Sequence, residues 1–247
     1  MRSIRLFADM PLQPGRGVAL PDSAAAHAMR VLRLRTGDMV TLFNGDGHEY
    51  SARLAAADAR EVRAEIMSRE SPPRESSLRI TLVQALARGE KMDWIIQKAV
   101  ELGAARIVPV STERSEVKLD DARGRKRLQH WRAIATAACE QCGRNTLPGI
   151  EAPIALSAWV KTGSATPEPV TRWTLHPEGA TRVRDLHAPS PAMLELAVGP
   201  EGGFGETDLA TLRAHGFREL TLGPRILRTE TAGIAALAAL QALCGDL

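Results

Sequence analysis

A short stretch rich in proline, serine and charge, Glu70–Ser77 (ESPPRESS), separates two hydrophobic patterns that do not belong to one regular architecture. Before it, apolar residues alternate in short runs between turn signals. Asp46-Gly47, within Asn44-Gly45-Asp46-Gly47, joins DMVTLF to HEYSARL as a hairpin. Gly37-Asp38 marks another turn, and EVRAEIMS alternates as a third strand. SAAAHAMRVLRLR predicts a short helix presenting His27, Arg30 and Arg33. Short strands of this kind make small β barrels, a frequent platform for nucleic acid.

After the divide, strands and helices take turns. LRITLVQAL reads as a buried strand. MDWIIQKAVELG reads as a helix with Met92, Ile95, Ile96, Ala99 and Val100 on its apolar side and Gly103 as its stop. RIVPVST is the next strand, and a basic stretch then leads into the long helix LQHWRAIATAACEQC. RWTLHP, LELAVGP and ELTLGP are further strands. Helices are expected from about Thr207 to His215 and from about Thr231 to Leu243. The alternation predicts an α/β domain with a mainly parallel sheet. The expected division is residues 1–73 for the barrel and 74–247 for the α/β domain.

Charge is distributed unevenly between these parts. Lys and Arg balance Asp and Glu at +1 over residues 1–73, +5 over 74–150 and −3 over 151–247. The middle excess is densest in ARGRKRLQHWR (Ala122 to Arg132), which suits either phosphate contact or a solvated helix face. Apolar residues make up 44% of the chain, enough to bury a core, while aromatics are only 4%, so aliphatic packing must fill it. The N-terminal residues contain no apolar run of signal-peptide length. The longest apolar stretch, near the C-terminus, is broken by Gly233 and Gln241 and falls short of a membrane span. A soluble cytoplasmic protein with no membrane partner is the expectation.

Cys139-Glu140-Gln141-Cys142 has the spacing of a redox pair, but it is expected at a helix C-terminus, where the dipole disfavours thiolate. No second Cys/His pair completes a zinc site, and no metal is expected.

Ligands of open α/β sheets collect beyond the carboxyl ends of strands. Three such ends carry distinctive loops: Leu175-His176-Pro177, Gly199-Pro200-Glu201-Gly202-Gly203-Phe204, and Leu222-Gly223-Pro224-Arg225-Ile226-Leu227-Arg228. The glycine-rich loop lacks the Gly-Lys-Ser/Thr ending of a P-loop, and no G-x-G-x-x-G follows a first strand. With Glu201 inside it, the loop suits a neutral or cationic ligand better than a polyphosphate.

LAVGPEGGF followed by LTLGPRILRTETA resembles the ribosomal RNA small-subunit methyltransferase E family, of the SPOUT class of S-adenosylmethionine-dependent enzymes. The resemblance covers nearly the whole chain: HAMRVLRLRTGD and FNGDG look like its RNA-binding barrel, and MDWIIQKAVELGAARIVPVSTERS with EQCGRN like its central signatures. One departure is Cys142, where the family pattern has serine. The resemblance implies a PUA-like β barrel, a SPOUT domain with a deep trefoil knot, a homodimer, and S-adenosyl-L-methionine as cofactor. Its reaction is methylation of uracil N3 in the decoding region of 16S rRNA, so the small ribosomal subunit or its RNA is the implied partner. The methyl group comes from a sulfonium, a chemistry that asks for no metal.

By the same resemblance, backbone near Leu222, Gly223, Ile226 and Leu227 binds adenine, and Ile226 and Leu227 pack on its faces. Gly199, Glu201, Gly202 and Gly203 line the ribose and methionine side, while Leu175 and His176 close the third. Uracil N3 carries a proton near neutral pH, so catalysis needs cationic donors at the ring oxygens and a proton acceptor. Arg228 is the first candidate for the donor. Glu230 is a candidate to accept the proton or to orient Arg228; alternatively, Thr229 caps the last helix and Glu230 meets its positive end. RNA contacts are expected from Arg30 and Arg33 in the barrel and from Arg114, Arg125, Lys126, Arg132, Arg144 and Asn145 in the middle segment. Gln97, Lys98, Glu101, Glu113, Glu140 and Gln141 are grouped as a polar network near the site. Two rival readings are a SPOUT enzyme acting on another RNA position and a non-catalytic ribosome-assembly factor.

Overall fold

The alternating pattern of the first seventy residues folds into a five-stranded sheet in the computed structural model, which describes residues 4–57, 61–116, 121–162, 169–187 and 192–247. Its strands are β1 (Arg5–Phe7), β2 (Gly17–Ala19), β3 (Met39–Phe43), β4 (Glu49–Ala57) and β5 (Val62–Glu70), ordered β1-β3-β4-β5-β2. The expected hairpin joins β3 to β4 in antiparallel register, with Leu42 opposite Tyr50. The Tyr50 hydroxyl donates a 2.7 Å hydrogen bond to the Asp46 carboxylate and so clips the turn. Every second residue faces inward, and Val40, Leu42, Ala52, Leu54, Ala64 and Ile66 form the core. Helix α1 (Asp22–Ala26) continues through a π-helical turn, His27–Val31. Arg30 sits in that turn, whereas Arg33 lies beyond it with a left-handed φ of 54°.

The chain resolves into two units that differ from the expected cut at 73/74. One comprises residues 1–75 together with 136–147, and the other residues 76–135 with 148–247. Segment 136–147 joins the barrel unit because its polar groups find their partners there. The Arg5 guanidinium donates to the fully buried Asn145 Oδ1 (2.5 Å) and to the Arg144 carbonyl (3.1 Å). Glu140 accepts from the Phe7 N–H and pairs with His27, while Arg144 pairs with Glu75. Such links lie from 69 to 140 positions apart in sequence and leave no local pattern to read.

In the second unit, alternation produces a sheet whose strand pairs are all parallel. Its strands are β6 (Arg79–Ala85), β7 (Arg106–Ser111), β8 (Gly149–Ile150), β9 (Ile154–Ala155), β10 (Thr171–Leu175), β11 (Thr181–Arg182), β12 (Met193–Val198) and β13 (Arg218–Thr221). Their order is β11-β13-β10-β12-β6-β7-β8, with β9 also on β7. The helices are α2 (Lys91–Glu101), α3 (Asp121–Cys142), α4 (Leu156–Thr162), α5 (Glu206–Ala214) and α6 (Thr229–Cys244). The three shortest strands and α4 were not foreseen; two-residue strands carry no periodicity. The basic stretch is itself helical, forming the first turns of α3 rather than an approach to it.

The five apolar residues assigned to the inner face of α2 are all buried. Gly103 ends the helix with φ +77°, a conformation that suits glycine, and the space a Cβ would take there is filled by the Gln241 amide. Gln241 donates to the Leu102 carbonyl (3.1 Å) and accepts from the Ser76 hydroxyl (2.7 Å), tying the far end of α6 to the end of α2. Cys142 is the last residue of α3, as expected, and Cys139 is fully buried one turn earlier. Burial pushes the Cys139 thiol up to about 12, which leaves it protonated and unreactive.

Candidate functional site

Strands β13, β10 and β12 are neighbours in the sheet, so parallel pairing places their carboxyl ends side by side. The three loops singled out in the sequence leave from those ends. Together with Lys91, at the start of α2, and Arg114, they line one cavity of about 530 Å³. That size suits a nucleoside-scale ligand. Leu175, His176, Gly199, Glu201, Gly203, Leu222, Gly223, Ile226 and Leu227 all contribute to its wall. Gly202 stands just behind, its carbonyl accepting a 3.0 Å hydrogen bond from Arg114. Arg228 lines the cavity, whereas Glu230 does not.

The glycine-rich loop folds back on itself. A Cβ at Gly199 would stand 3.0 Å from the Phe204 nitrogen and 3.3 Å from the Gly203 carbonyl carbon, so only glycine fits without a shift. In the third loop Ile226 is 84% exposed, a large apolar side chain held at the cavity with little protein over it. In the first loop the Glu178 N–H lies 3.2 Å from His176 Nδ1 and donates to it.

A buried polar chain beneath the cavity joins three elements. Gln84, at the end of β6, donates through Nε2 to the Thr229 hydroxyl (3.0 Å) and to the Ala85 carbonyl (3.0 Å). Thr229 in turn donates to the Gly199 carbonyl (2.6 Å). Thr229 therefore does not cap α6. Arg228 occupies the N-cap position without a side-chain cap bond, and Thr229 is the first helical residue, pointing inward. Gln84 escaped the sequence reading, although a lone glutamine in the apolar run ITLVQAL is a signal of a buried polar contact.

Lys91 was missed as well. Its ammonium lies 2.9 Å from Glu201 Oε1 and 3.5 Å from Glu230 Oε2. Glu201 also accepts from the Arg88 N–H (3.2 Å). Partial burial pushes the Glu201 carboxyl upward, but Lys91 and the backbone N–H groups of Glu201 and Arg88 outweigh it and hold it below the usual range. The hydrogen bond to Glu201 correspondingly raises Lys91, against the opposing effect of desolvation. Glu201 is thus neutralised in place. Arg114, Arg225 and Arg228 also stand on the wall, so cationic side chains surround the paired Glu201.

The remaining expectations divide by burial. Arg30, Arg33, Arg114, Arg125, Lys126 and Arg132 are exposed, as RNA contact requires. Arg144 and Asn145 are buried within the barrel unit, held by Glu75 and Arg5, and present no surface to RNA. The grouped polar residues with assigned partners divide among different places. Lys98 pairs with Glu101 along α2, the Glu113 backbone N–H donates to Asp208 at the start of α5, and Glu140 belongs to the barrel unit. Among the described residues there is no cluster of His, Cys, Asp and Glu fit for a metal, and no helix is long and apolar enough to cross a membrane.

Comparison with known proteins agrees with this geometry. Residues 74–241 match the RNA methyltransferase domain family, and residues 20–67 match the RNA methyltransferase PUA domain. A ribosomal RNA small subunit methyltransferase E of Buchnera aphidicola (subsp. Schizaphis graminum) is 32% identical over 243 residues, covering 98% of this chain and 97% of that one. Among solved structures, the ribosomal RNA small subunit methyltransferase E of Neisseria gonorrhoeae, bound to S-adenosyl methionine, shares 39% identity with a TM-score of 0.91. The similarity covers 100% of both chains. A Legionella pneumophila protein in complex with SAM shares 40% identity with a TM-score of 0.93, again over 100% of both chains.

Proposed function

The chain belongs to the ribosomal RNA small subunit methyltransferase E family, and on that premise we propose that it methylates N3 of one uridine in the decoding region of 16S rRNA. The observation that carries the reading is the convergence of three strand-end loops on one cavity, with Arg228 at its wall.

S-adenosyl-L-methionine is the cofactor, and the wall fits it. The folded-back loop brings Gly199 and Gly203, which carry no side chain, to the cavity wall. Ile226 and Leu227 offer an apolar face of the kind that packs on adenine, and the basic rim complements the carboxylate of an amino-acid tail. When bound, the cofactor supplies an electrophilic methyl group on a sulfonium. The protein's own task is to make uracil N3 nucleophilic. Arg228 stabilises negative charge on the ring oxygens, an effect strengthened where water is excluded. Glu230 lies off the wall with Oε2 buried beside Lys91, so its part is to hold Arg228's helix end rather than to touch the ring.

RNA is presented by the barrel arginines and by the exposed cations on α3, with the target uridine splayed out of its stack. The same reading makes the C-terminal domain deeply knotted and the working protein a homodimer in the cytoplasm, where one protomer's barrel can serve its partner's cavity. Nucleoside mass spectrometry of 16S rRNA from cells lacking the gene tests the assignment. Loss of N3-methyluridine, restored by the wild-type gene, is expected, and its persistence would refute the assignment.

A further inference from the structure

The contact that neither the cavity nor the helix explains is the one made by Lys91. It is the first residue of α2, where the helix dipole already places partial positive charge and a further cation is disfavoured. Two carboxylates from distant parts of the chain compensate it. Glu201 comes from the loop after β12, and Glu230 from the first turn of α6. Without the ammonium the two anions would face each other across the same gap, and Glu230 Oε2, buried and without a hydrogen bond, would lose its nearest counter-charge.

We propose that Lys91 is a positioning residue for methyl transfer: one ammonium ties the glycine-rich cofactor loop, through Glu201, to the helix start that carries Arg228, through Glu230. The proposal rests on the methyltransferase reading and deepens it. Its chemical logic is register. Gly199 is already tied to α6 from below by Thr229, so the loop has one fixed end. Glu201, two residues on, is a second anchor point, and Lys91 is the side chain that holds it, beside the Arg88 N–H. With both ends fixed, the methyl donor and Arg228 keep one distance. With only one fixed, the loop can still close on the cofactor but at varied distances from the base. Displacement of about 1 Å in a reacting pair costs about a hundredfold in rate.

The test uses the full-length protein with 16S rRNA-containing small subunits and S-adenosyl-L-methionine. Thermal midpoint, cofactor Kd by calorimetry and single-turnover methyl transfer at saturating cofactor are measured for wild type, Lys91→Met and Lys91→Arg. Lys91→Met is expected to keep its midpoint within a few degrees, because the ion pairs of a part-exposed ammonium are screened by solvent. Its transfer rate is expected to fall about a hundredfold even at saturating cofactor. Lys91→Arg, which preserves the charge, should recover most of that rate. Wild-type transfer by Lys91→Met would overturn the proposal, as would an arginine variant no better than methionine. If Lys91→Met does not fold, Glu201→Ala cuts the same tie from the loop side, and an unchanged single-turnover rate there overturns it equally. A wild-type enzyme that leaves 16S rRNA unmethylated sinks the functional reading instead. In that event hydrogen exchange at the backbone amides of the Gly199–Phe204 loop reads the tie separately: faster exchange in Lys91→Met upholds it, and unchanged exchange refutes it.

Discussion

The Thr229 hydroxyl donates a 2.6 Å hydrogen bond to the Gly199 carbonyl, so the first residue of α6 is fastened to the first residue of the glycine-rich loop. Gln84 completes the contact from beneath through its own hydrogen bond to the same hydroxyl. Thr229→Val keeps the shape and removes both bonds, leaving a buried carbonyl without its donor. A stability loss of about 1–3 kcal/mol is expected, with weaker cofactor binding, measured by denaturant unfolding and calorimetry.

Arg228 behaves differently because it is exposed and bears none of that structural load. Arg228→Ala is expected to leave the unfolding midpoint and cofactor Kd nearly unchanged while kcat falls about a hundredfold or more, the mark of an interaction made in the transition state. Parallel losses in Kd and kcat would make it a binding residue.

Ile226 separates binding from folding in the opposite way. At 84% exposure it contributes little to the core, so Ile226→Ala should change stability by only about 0.5 kcal/mol. Its apolar face is then lost only to the cofactor, and Kd should weaken about tenfold, or about 1.4 kcal/mol. Unchanged calorimetric affinity would remove Ile226 from the adenine site.

The RNA-facing cations can be told from their buried neighbours by salt. Arg125→Glu and Lys126→Glu should weaken RNA binding and each reduce the salt slope of log K by about 1. Asn145→Ala should instead destabilise the fold, because it strips the buried Arg5 guanidinium of an acceptor. Filter binding across a salt series and thermal unfolding distinguish the two behaviours.

Cys139 gives a pH prediction. With its thiol raised from 9.0 to about 12 by burial, Cys139 resists alkylation at pH 8 in the folded protein, checked by peptide mass spectrometry that separates it from Cys142 and Cys244. A raised acid stabilises the fold only while it stays protonated. Its contribution is therefore full below 9.0 and declines as pH rises from there toward 12.

Features legible in the sequence were those written in local pattern. The apolar side of α2 and its stop at Gly103 follow from spacing within a dozen residues, and the three cavity loops follow from turn residues placed at strand ends. What escaped was written across distance. Lys91 meets Glu201 over 110 positions, and Gln84 meets Thr229 over 145. Neither pair has any period to betray it. The alternative of a Thr229 cap suits its residue type and place, but its hydroxyl is taken by a buried glutamine and a carbonyl. Arg144 and Asn145 followed a basic run and were placed at the surface with it. Their partners Glu75 and Arg5 lie far upstream.

The make-up of the barrel unit sets an order of events during synthesis. Its last segment, 136–147, leaves the ribosome only after residues 76–135, which belong to the other unit, have been made. At 5–20 residues per second that interval is roughly 3–12 s. Throughout it, Arg5 and His27 exist in a nascent chain that does not yet contain Asn145 and Glu140. The first domain to emerge is therefore among the later ones to be finished.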